Sequence, residues 1–248
     1  MLIMWPIAGT GTRFLDAGYS ELKPFIKINN HPMIEFAISS IGLSGKHCIV
    51  ANKLNSVQVN TLNNIQRKYS LELEIVELGR TTAGQAETCY LALEKIEINK
   101  NEQLIISNCD QFTPWNPRNF MNLTKNNEIS GIVTTYRHRD FIIGTKSPYS
   151  HVKVDDNNFA IQLEEKIAIS QNSLNGIYYW KEIKLFQESA KKYINTVTTG
   201  EKFVSFTYNY LIKEGYKIKI FEMKENEFYS LGTPKDLNTN KNKIFLNS

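Results

Sequence analysis

The first fourteen residues place an apolar strand directly in front of a glycine-rich turn. Residues 2–7 (LIMWPI) are apolar, and residues 8–13 (AGTGTR) follow without a break. A buried strand that ends in such a turn directs backbone N–H groups into one concavity, which suits a phosphate chain. Gly9 and Gly11 carry no Cβ, so the backbone can approach the anion closely. The pattern predicts a phosphate-binding turn after the first strand.

Two cationic side chains accompany this turn. Arg13 ends it, and Lys23 follows about ten residues later in a Lys-Pro pair. Fixed positive charge beside a row of backbone N–H groups favours a polyphosphate. The combination predicts a nucleoside triphosphate site in which Arg13 and Lys23 are catalytic. The residues of the turn that we expect to bind the nucleotide are Ala8, Gly9, Thr10, Gly11 and Thr12.

Other phosphate-binding loops have different spacings. A Walker loop needs four residues between its glycines and a following Gly-Lys-Ser/Thr, neither of which is present here. A dinucleotide fingerprint needs a third glycine at the position of Phe14. The remaining alternative is an ordinary strand-to-helix turn with two incidental glycines, which the glycine spacing alone leaves open.

Strand-like and helix-like segments alternate in the first half of the chain. Apolar runs bounded by turn residues predict strands at 2–8, 47–51, 73–78 and 104–108. Apolar spacing of three and four predicts helices at 32–41 and 83–96. This alternation predicts an α/β fold with a mostly parallel sheet, whose ligands lie beyond the carboxyl ends of the strands. The glycine-rich turn and Asp110 should therefore meet at one rim.

The second half of the chain is less regular. Strands are predicted at 129–136, 151–154, 158–162, 174–180 and 216–223, with a hairpin turn at 155–157. Helices are predicted at 183–193 and 206–213, and Gly215 is a plausible helix stop. The tail from 238 to 248 is either a short helix or frayed. With no repeat and no linker, we expect one domain over 1–248, with a nucleotide half (1–128) and an acceptor half (129–248).

Composition excludes several classes of protein. The longest apolar runs are strand-sized, and no secretory signal opens the 248-residue chain, so we expect a cytoplasmic protein without a membrane partner. Cys48, Cys89 and Cys109 are widely separated, which favours small buried side chains over disulfides or structural zinc. The net charge of +4 is modest and not clustered, so nucleic-acid binding is not expected.

Eight short motifs follow one another along nearly the whole chain. In order they are residues 8–14 (AGTGTRF), 22–25 (LKPF), 32–35 (PMIE), 84–86 (GQA), 108–110 (NCD), 164–166 (EEK), 175–178 (NGIY) and 231–234 (LGTP). The ordered set resembles the nucleotidyltransferases of the sugar-1-phosphate pyrophosphorylase type. This resemblance implies a Rossmann-like three-layer α/β sandwich related to GT-A glycosyltransferases. It also implies two substrates, a nucleoside triphosphate and a phosphorylated small-molecule acceptor.

Asp110 and Gln85 are the remaining residues expected in the nucleotide half of the site. A carboxylate at the end of a strand suits Mg²⁺, which takes oxygen ligands from one or two carboxylates and from substrate phosphates. The resemblance implies that Asp110 holds this catalytic Mg²⁺, although an Asp in this position can also cap a turn before Pro114. It likewise implies that Gln85 contacts the nucleobase. Without the resemblance, Gln85 is an ordinary residue of a first helical turn.

The acceptor site is expected in the second half. In the family, the lysine of a Glu-Lys motif meets the acceptor phosphate, and here Glu165 and Lys166 form such a motif. The alternative is a solvated charge cluster. Of the two arginines at 137 and 139, at most one should enter the pocket, because alternate strand residues face opposite sides. The acceptor-binding residues predicted in full are Glu165, Lys166, Asn175, Gly176, Arg139 and Tyr208, with core packing as the alternative for Tyr208.

One departure from the family pattern affects the expected substrate. Many sugar pyrophosphorylases carry a second metal carboxylate just before the late Gly-Thr motif, where this chain has Ser230. Glu225 and Glu227 lie nearby but out of register. Together with residues 6–9 and 108–115, this departure resembles a capsule-biosynthesis subgroup of cytidylyltransferases and implies CTP and L-glutamine phosphate as substrates. The alternatives are a sugar 1-phosphate acceptor with CTP, UTP or dTTP, and a catalytically silent nucleotide-binding module. The oligomeric state stays open.

Overall fold

The structure is a computed structural model that describes residues 1–137 and 141–246. Its strands are β1 (Leu2–Pro6), β2 (Lys27–Ile28), β3 (His31–Pro32), β4 (Lys46–Ala51), β5 (Leu73–Glu77), β6 (Leu104–Ser107), β7 (Gln111–Phe112), β8 (Ile129–Arg137), β9 (Lys146–Val154), β10 (Ala160–Ile167), β11 (Asn172–Trp180), β12 (Lys217–Met223) and β13 (Tyr229–Ser230). Its α-helices are α1 (Thr12–Asp16), α2 (Met33–Ser40), α3 (Ser56–Lys68), α4 (Gln85–Leu93), α5 (Arg118–Thr124), α6 (Ile183–Thr196), α7 (Ser205–Lys213) and α8 (Pro234–Asn240), and short 3₁₀ turns cover Lys23–Phe25 and Glu225–Glu227.

One large mixed sheet runs through both halves of the described chain. β1 pairs in parallel with β4 and β6, and β4 pairs in parallel with β5. β11 joins this parallel part to the second half through antiparallel pairing with β6, β8 and β9. β12 adds a parallel partner to β8, and β10 pairs antiparallel with β9. The predicted α/β fold with a mixed sheet is confirmed.

The residues of β1 explain why this strand lies inside the sheet. Side chains alternate between the two faces of a strand, so both faces must be apolar when helices cover both. Leu2 and Met4 pack into one core with α4, α6 and α7, whereas Ile3 and Trp5 pack into a second core with α2, α3 and α5. All four side chains are fully buried. The three-layer arrangement follows from this two-sided burial.

Two small sheets are separate from the large sheet. β2 pairs with β3, and β7 pairs antiparallel with β13. A third apolar cluster lies between them and includes Phe14, Phe112 and Leu231. Because β7 pairs with β13, the late Gly-Thr motif (residues 232–233) lies beside the segment that follows β6.

The predicted elements agree with the structure at most positions, and the hairpin at 155–157 joins β9 to β10 as expected. The amphipathic helix α3 was not predicted because only Leu62 and Ile65 of it are buried. β9 begins at Lys146, well before the predicted start of that strand at residue 151. The last helix of the described residues is α8, which is capped by Thr233 and ends at Asn240, near the beginning of the tail predicted at 238–248. No helix in the described ranges combines the length and apolar character needed to cross a membrane.

Candidate active site

A cavity of about 600 Å³ opens at the carboxyl ends of β1 and β6. This is the rim at which the sequence placed the glycine-rich turn and Asp110, and both line the cavity. Residues of the second half close its far side. The sequence-predicted site residues that line it are Ala8, Gly9, Thr10, Gly11, Thr12, Arg13, Lys23, Gln85, Asp110, Glu165 and Lys166.

The two glycines of the first turn have different surroundings. Gly11 has a φ of +66°, and a Cβ added to it would lie 3.0 Å from the Cβ of Lys23. A side chain here would therefore strain the backbone and push Lys23 away. No atom lies within 4 Å of the corresponding Cβ position on Gly9. The space in front of Gly9 is open toward the cavity, where a ligand could approach the backbone.

Lys23 and Asp110 form a close ion pair at the rim. Lys23 Nζ lies 2.5 Å from Asp110 Oδ2, and about a fifth of each side chain is exposed. Burial would lower the pKa of Lys23, but the charge and hydrogen bond of Asp110 outweigh it and raise that pKa above its usual 10.5. Lys23 therefore stays cationic. Arg13 lines the same cavity, is exposed, and takes part in no ion pair with the described residues.

Asp110 is held by the late Gly-Thr motif. Its carbonyl oxygen accepts a hydrogen bond from the backbone N–H of Leu231 at 2.8 Å. A Cβ on Gly232 would lie 3.1 Å from Asp110 Oδ2 and 3.4 Å from Ser230 Oγ. The Ser230 hydroxyl and the Asp110 carboxylate therefore both lie close to Gly232. No cluster of three or more metal-binding side chains occurs within residues 1–137 and 141–246.

Gln85 opens helix α4 and contacts the segment that leads to Asp110. Gln85 Nε2 donates a hydrogen bond to Asn108 Oδ1 at 3.1 Å. The preceding Gly84 has a φ of +148°, and a Cβ there would lie 2.6 Å from the backbone nitrogen and oxygen of Lys202. A second-half segment thus packs directly against the start of α4. The close approach requires glycine at position 84.

Glu165 is a half-buried carboxylate on the second-half side of the cavity. Ser150 Oγ donates a hydrogen bond to its Oε1 at 2.5 Å, and the Ser205 hydroxyl donates to the same oxygen. Burial raises the pKa of Glu165 above its usual 4.5, although both hydroxyl hydrogen bonds favour the charged form. The neighbouring Lys166 has a φ of +61° and extends over the ring of Phe203 at 4.8 Å.

A second cavity of about 430 Å³ adjoins the first and shares Arg13, Lys23 and Asp110 with it. Asn175 and Gly176, both predicted to bind the acceptor, line this second cavity. The amide of Asn175 is already engaged, because its Nδ2 lies 2.8 Å from Met223 Sδ and its oxygen accepts from the Thr134 hydroxyl. We refer to this space below as the acceptor cavity, after the role that we propose for it.

One predicted acceptor residue does not contribute as expected. The assignment of Tyr208 to the acceptor site is wrong, since its side chain is fully buried in the core against Trp180. Its hydroxyl donates to the backbone carbonyls of Tyr179 and Ile132 rather than facing a cavity. Arg139 lies outside the described residues. Arg137 is exposed, 3.7 Å from Glu222.

Sequence reasoning missed several residues that line the two cavities. They come from β9, from the segment before α7 and from α8, and they include Tyr149, Ser150, Glu201, Phe203 and Asp236. None lies in a motif that carries a recognisable spacing. The early start of β9 brings Ser150 beside Glu165, and only the antiparallel pairing of β9 with β10 shows it.

Comparison with known protein families assigns the chain to one of them. The family model described as nucleotidyl transferase matches residues 3–245, so the chain belongs to the nucleotidyl transferase family. A search of curated proteins gave no match. Among solved structures, the nucleoside-diphosphate-sugar pyrophosphorylase of Vibrio cholerae RC9 is 22% identical, with a TM-score of 0.80 and coverage of 96% of this chain and 98% of the other.

Two further solved structures share the fold. The inositol-1-phosphate CTP transferase of T. maritima is 16% identical, with a TM-score of 0.73 and coverage of 96% and 91% of the two chains. A UDP-glucose pyrophosphorylase complexed with UDP-glucose is 17% identical, with a TM-score of 0.75 and coverage of 98% and 97%. At these identities the likeness establishes a common fold and leaves substrate choice to the residues of each site.

Proposed function

We propose that this protein transfers a nucleoside monophosphate unit from a nucleoside triphosphate to a phosphorylated small molecule and releases pyrophosphate. The observation that carries the proposal is the convergence of the glycine-rich turn, Arg13, Lys23 and Asp110 at one rim, beside a second cavity large enough for an acceptor. Such a transfer needs charge neutralisation and positioning rather than a covalent enzyme intermediate. The groups that line these cavities meet those needs.

In the proposed reaction, an oxygen of the acceptor phosphate attacks the α-phosphorus of the triphosphate. A new P–O bond forms while the bond from the α-phosphorus to the bridging oxygen of the β-phosphate breaks, and pyrophosphate leaves with that oxygen. The backbone of residues 8–12 would bind the phosphates, with open space at Gly9 for their approach. Arg13 and Lys23 would stabilise the charge that develops on the phosphate oxygens.

The residues at the rim fit a Mg²⁺ ion that takes most of its ligands from the substrate. Asp110 supplies one carboxylate that lines both cavities. Mg²⁺ commonly uses one or two carboxylates together with substrate phosphates and water, so one carboxylate suffices. When bound, the ion would neutralise negative charge on the phosphates. Ser230, at the family's second carboxylate position, stands beside Asp110 and would contribute no charge.

We propose CTP as the nucleotide and Gln85 as the residue that contacts the base. A carboxamide offers both donor and acceptor atoms, which matches the edge of a pyrimidine. The similarity of the motifs to capsule-biosynthesis cytidylyltransferases supports CTP, as does the CTP named for the T. maritima structure. The hydrogen bond of Gln85 to Asn108 leaves its Oε1 without a partner among the described residues.

We propose L-glutamine phosphate as the acceptor, giving CDP-glutamine for capsular polysaccharide modification. Its phosphate would lie between the two cavities near Lys23 and Lys166. Glu165 would meet the acceptor on the second-half side, where the cavity carries carboxylates from both Glu165 and Glu201. Lys153 and Lys181, two other basic residues of the second half, line neither cavity. A sugar 1-phosphate is the competing acceptor, because two of the similar structures are named as sugar-nucleotide enzymes.

Pyrophosphate release tests the proposed reaction directly. The wild-type protein is incubated with Mg²⁺ and each of CTP, UTP, dTTP and ATP, together with L-glutamine phosphate or glucose 1-phosphate, and the products are identified by mass spectrometry. We expect CDP-glutamine from CTP and L-glutamine phosphate. A nucleotide sugar without CDP-glutamine would reject the proposed acceptor. No pyrophosphate from any pair would favour a silent nucleotide-binding module.

A further inference from the structure

One carboxylate beside the acceptor cavity has no part in the reaction described above. Asp236 lies in α8 and lines the acceptor cavity together with Asp110. It also lines an adjoining space of about 670 Å³ that extends toward Arg137. The two spaces have Tyr149, Phe228, Ser230 and Asp236 in common. Asp236 therefore stands where the acceptor cavity opens into further volume.

The carboxylate of Asp236 has little positive charge close to it. Its Oδ2 accepts a hydrogen bond from Ser230 Oγ at 3.3 Å. No lysine, arginine or histidine nitrogen of the described residues lies within 4.0 Å of its oxygens, although Lys23 pairs with Asp110 in the same cavity. An ionised carboxylate can accept several hydrogen bonds, so one long bond from a neutral hydroxyl leaves most of its capacity unused.

Aromatic rings surround the same position. The ring centroids of Tyr136 and Phe228 are 4.9 Å apart, and those of Tyr136 and Tyr149 are 5.9 Å apart. Burial raises the pKa of both Tyr136 and Tyr149, and the nearby Asp236 carboxylate adds to the increase in each. The tyrosines therefore stay neutral, and their rings and that of Phe228 line the same space as the Asp236 carboxylate. That combination attracts a cation more strongly than a neutral group.

We propose that Asp236, with the rings of Tyr149 and Phe228, is the subsite for an ammonium group on the phosphorylated acceptor. This inference rests on the proposed function for the placement of the acceptor phosphate between the two cavities, near Lys23 and Lys166. The substrate class is then an aminated phosphate rather than a hexose phosphate. Arg137 and Lys224 line the adjoining space beside Glu222 and Glu225. Arg137 is paired with Glu222, whereas Lys224 forms no ion pair with the described residues, so its charge suits the carboxylate that an amino-acid phosphate carries beside its ammonium group.

The test uses pairs of acceptors that differ only in the ammonium group. Ethanolamine phosphate is compared with propyl phosphate, which replaces the ammonium group by methyl. L-glutamine phosphate is compared with the N-phosphoryl derivative of glutaramic acid, which lacks only the α-ammonium group. Binding to the full chain is measured by isothermal titration calorimetry without nucleotide. The variants are Asp236→Asn, which removes the charge and keeps the shape, and Asp156→Asn, an exposed Asp outside both cavities, as the matched control.

We expect the wild type and Asp156→Asn to bind the ammonium member of at least one pair roughly tenfold more tightly. Asp236→Asn should lose this preference and keep its affinity for the partner that lacks ammonium. Phe228→Leu, which removes one ring, should weaken the preference and serves as a second variant if Asp236→Asn does not fold.

Equal binding within both pairs by the wild type would overturn the proposal, as would a preference that survives in Asp236→Asn. A raised Mg²⁺ requirement in Asp236→Asn with unchanged ammonium preference would show that the carboxylate serves the metal instead. Because binding needs no turnover, the result is separate from the proposed function. Absence of pyrophosphate release would contradict that function and leave the ammonium subsite to be decided by calorimetry.

Discussion

The side chain of Gln85 donates a hydrogen bond to Asn108 Oδ1 across 3.1 Å, which joins the start of α4 to the segment that carries Asp110. Asn108 is held in turn by Gly176, whose carbonyl accepts from the Asn108 N–H at 2.9 Å. A Cβ on Gly176 would lie 2.1 Å from Asn108 Nδ2. The proposed base-contacting residue and the proposed metal ligand are therefore linked through Asn108, in a position that only glycine at 176 permits.

Gly176→Ala should disturb both stability and nucleotide binding. Alanine at a φ of +88° is strained by about 1–3 kcal/mol, and its methyl group would displace the Asn108 amide. We expect a lower melting temperature and a higher KM for CTP. Thermal unfolding and steady-state pyrophosphate release measure the two effects.

A double variant separates strain from positioning. In Gly176→Ala combined with Asn108→Ala, the clash with the amide is gone, so part of the stability should return. The KM for CTP should stay high because Gln85 has lost its partner. A double variant that regains the wild-type KM would show that Asn108 does not position Gln85.

Arg13→Ala and Lys23→Ala should each fold and lose turnover by roughly 10²–10³-fold, the scale for removing one preorganised electrostatic group. Lys27→Ala is the matched control, because Lys27 is exposed on β2 and lines neither cavity. Values of kcat are compared at equal folded concentration, verified by circular dichroism. A normal kcat in either cavity variant would remove that residue from the catalytic set.

Asp110→Asn should abolish Mg²⁺-supported activity and, because it leaves Lys23 without its ion-pair partner, should also lower the melting temperature. The amide keeps the shape of the side chain but lacks the charge that a hard cation requires. Activity is measured against Mg²⁺ concentration, and the wild type is assayed with and without EDTA. Full activity in the variant, or a wild type indifferent to EDTA, would refute the metal assignment.

The rim of the site could be predicted from the sequence because it follows from local patterns and one general rule. The apolar run of β1 and the glycines after it identify a strand and a turn, and the parallel sheet brings the carboxyl ends of β1 and β6 together. A local pattern, the apolar spacing at 83–96, likewise predicts that Gln85 lies at the start of a helix. These inferences need no knowledge of which distant segments pair.

The residues on the acceptor side are brought together by the pairing of strands that are distant in the sequence, so fewer of them could be predicted. Asp236 reaches the cavity only because β13 pairs with β7, more than a hundred residues earlier in the chain. The prediction that Tyr208 binds the acceptor is wrong because it does not take the helical spacing of the apolar residues around it into account. Val204, which immediately precedes α7, and Tyr208 and Leu211 within it are spaced four and three residues apart and pack into one core, so the period alone indicates a core position.

A final prediction concerns stability at low pH and rests on Glu35 in α2. This carboxylate is 4% exposed and accepts hydrogen bonds from Lys68 Nζ at 2.9 Å and from Tyr69 Oη at 3.0 Å. His31 Nδ1 lies 3.1 Å away. Burial alone would raise the pKa of Glu35, but the hydrogen bonds of Lys68, His31 and Tyr69 outweigh it and lower that pKa below its usual 4.5.

Because the folded pKa of Glu35 lies below the unfolded value, its stabilising contribution is present above about pH 4.5 and is lost as the pH falls through the folded pKa. Glu35→Gln keeps the shape without the charge, so it should cost about 1–3 kcal/mol at pH 7. The difference from wild type in the free energy of unfolding, measured with urea, should shrink as the pH falls below about 4.5, where Glu35 is increasingly protonated and resembles glutamine. The comparison is repeated in a His31→Asn background, because His31 Nδ1 also contacts the Glu35 carboxylate. A difference that stays constant or grows on acidification would exclude an ionised Glu35 as the source of this stability.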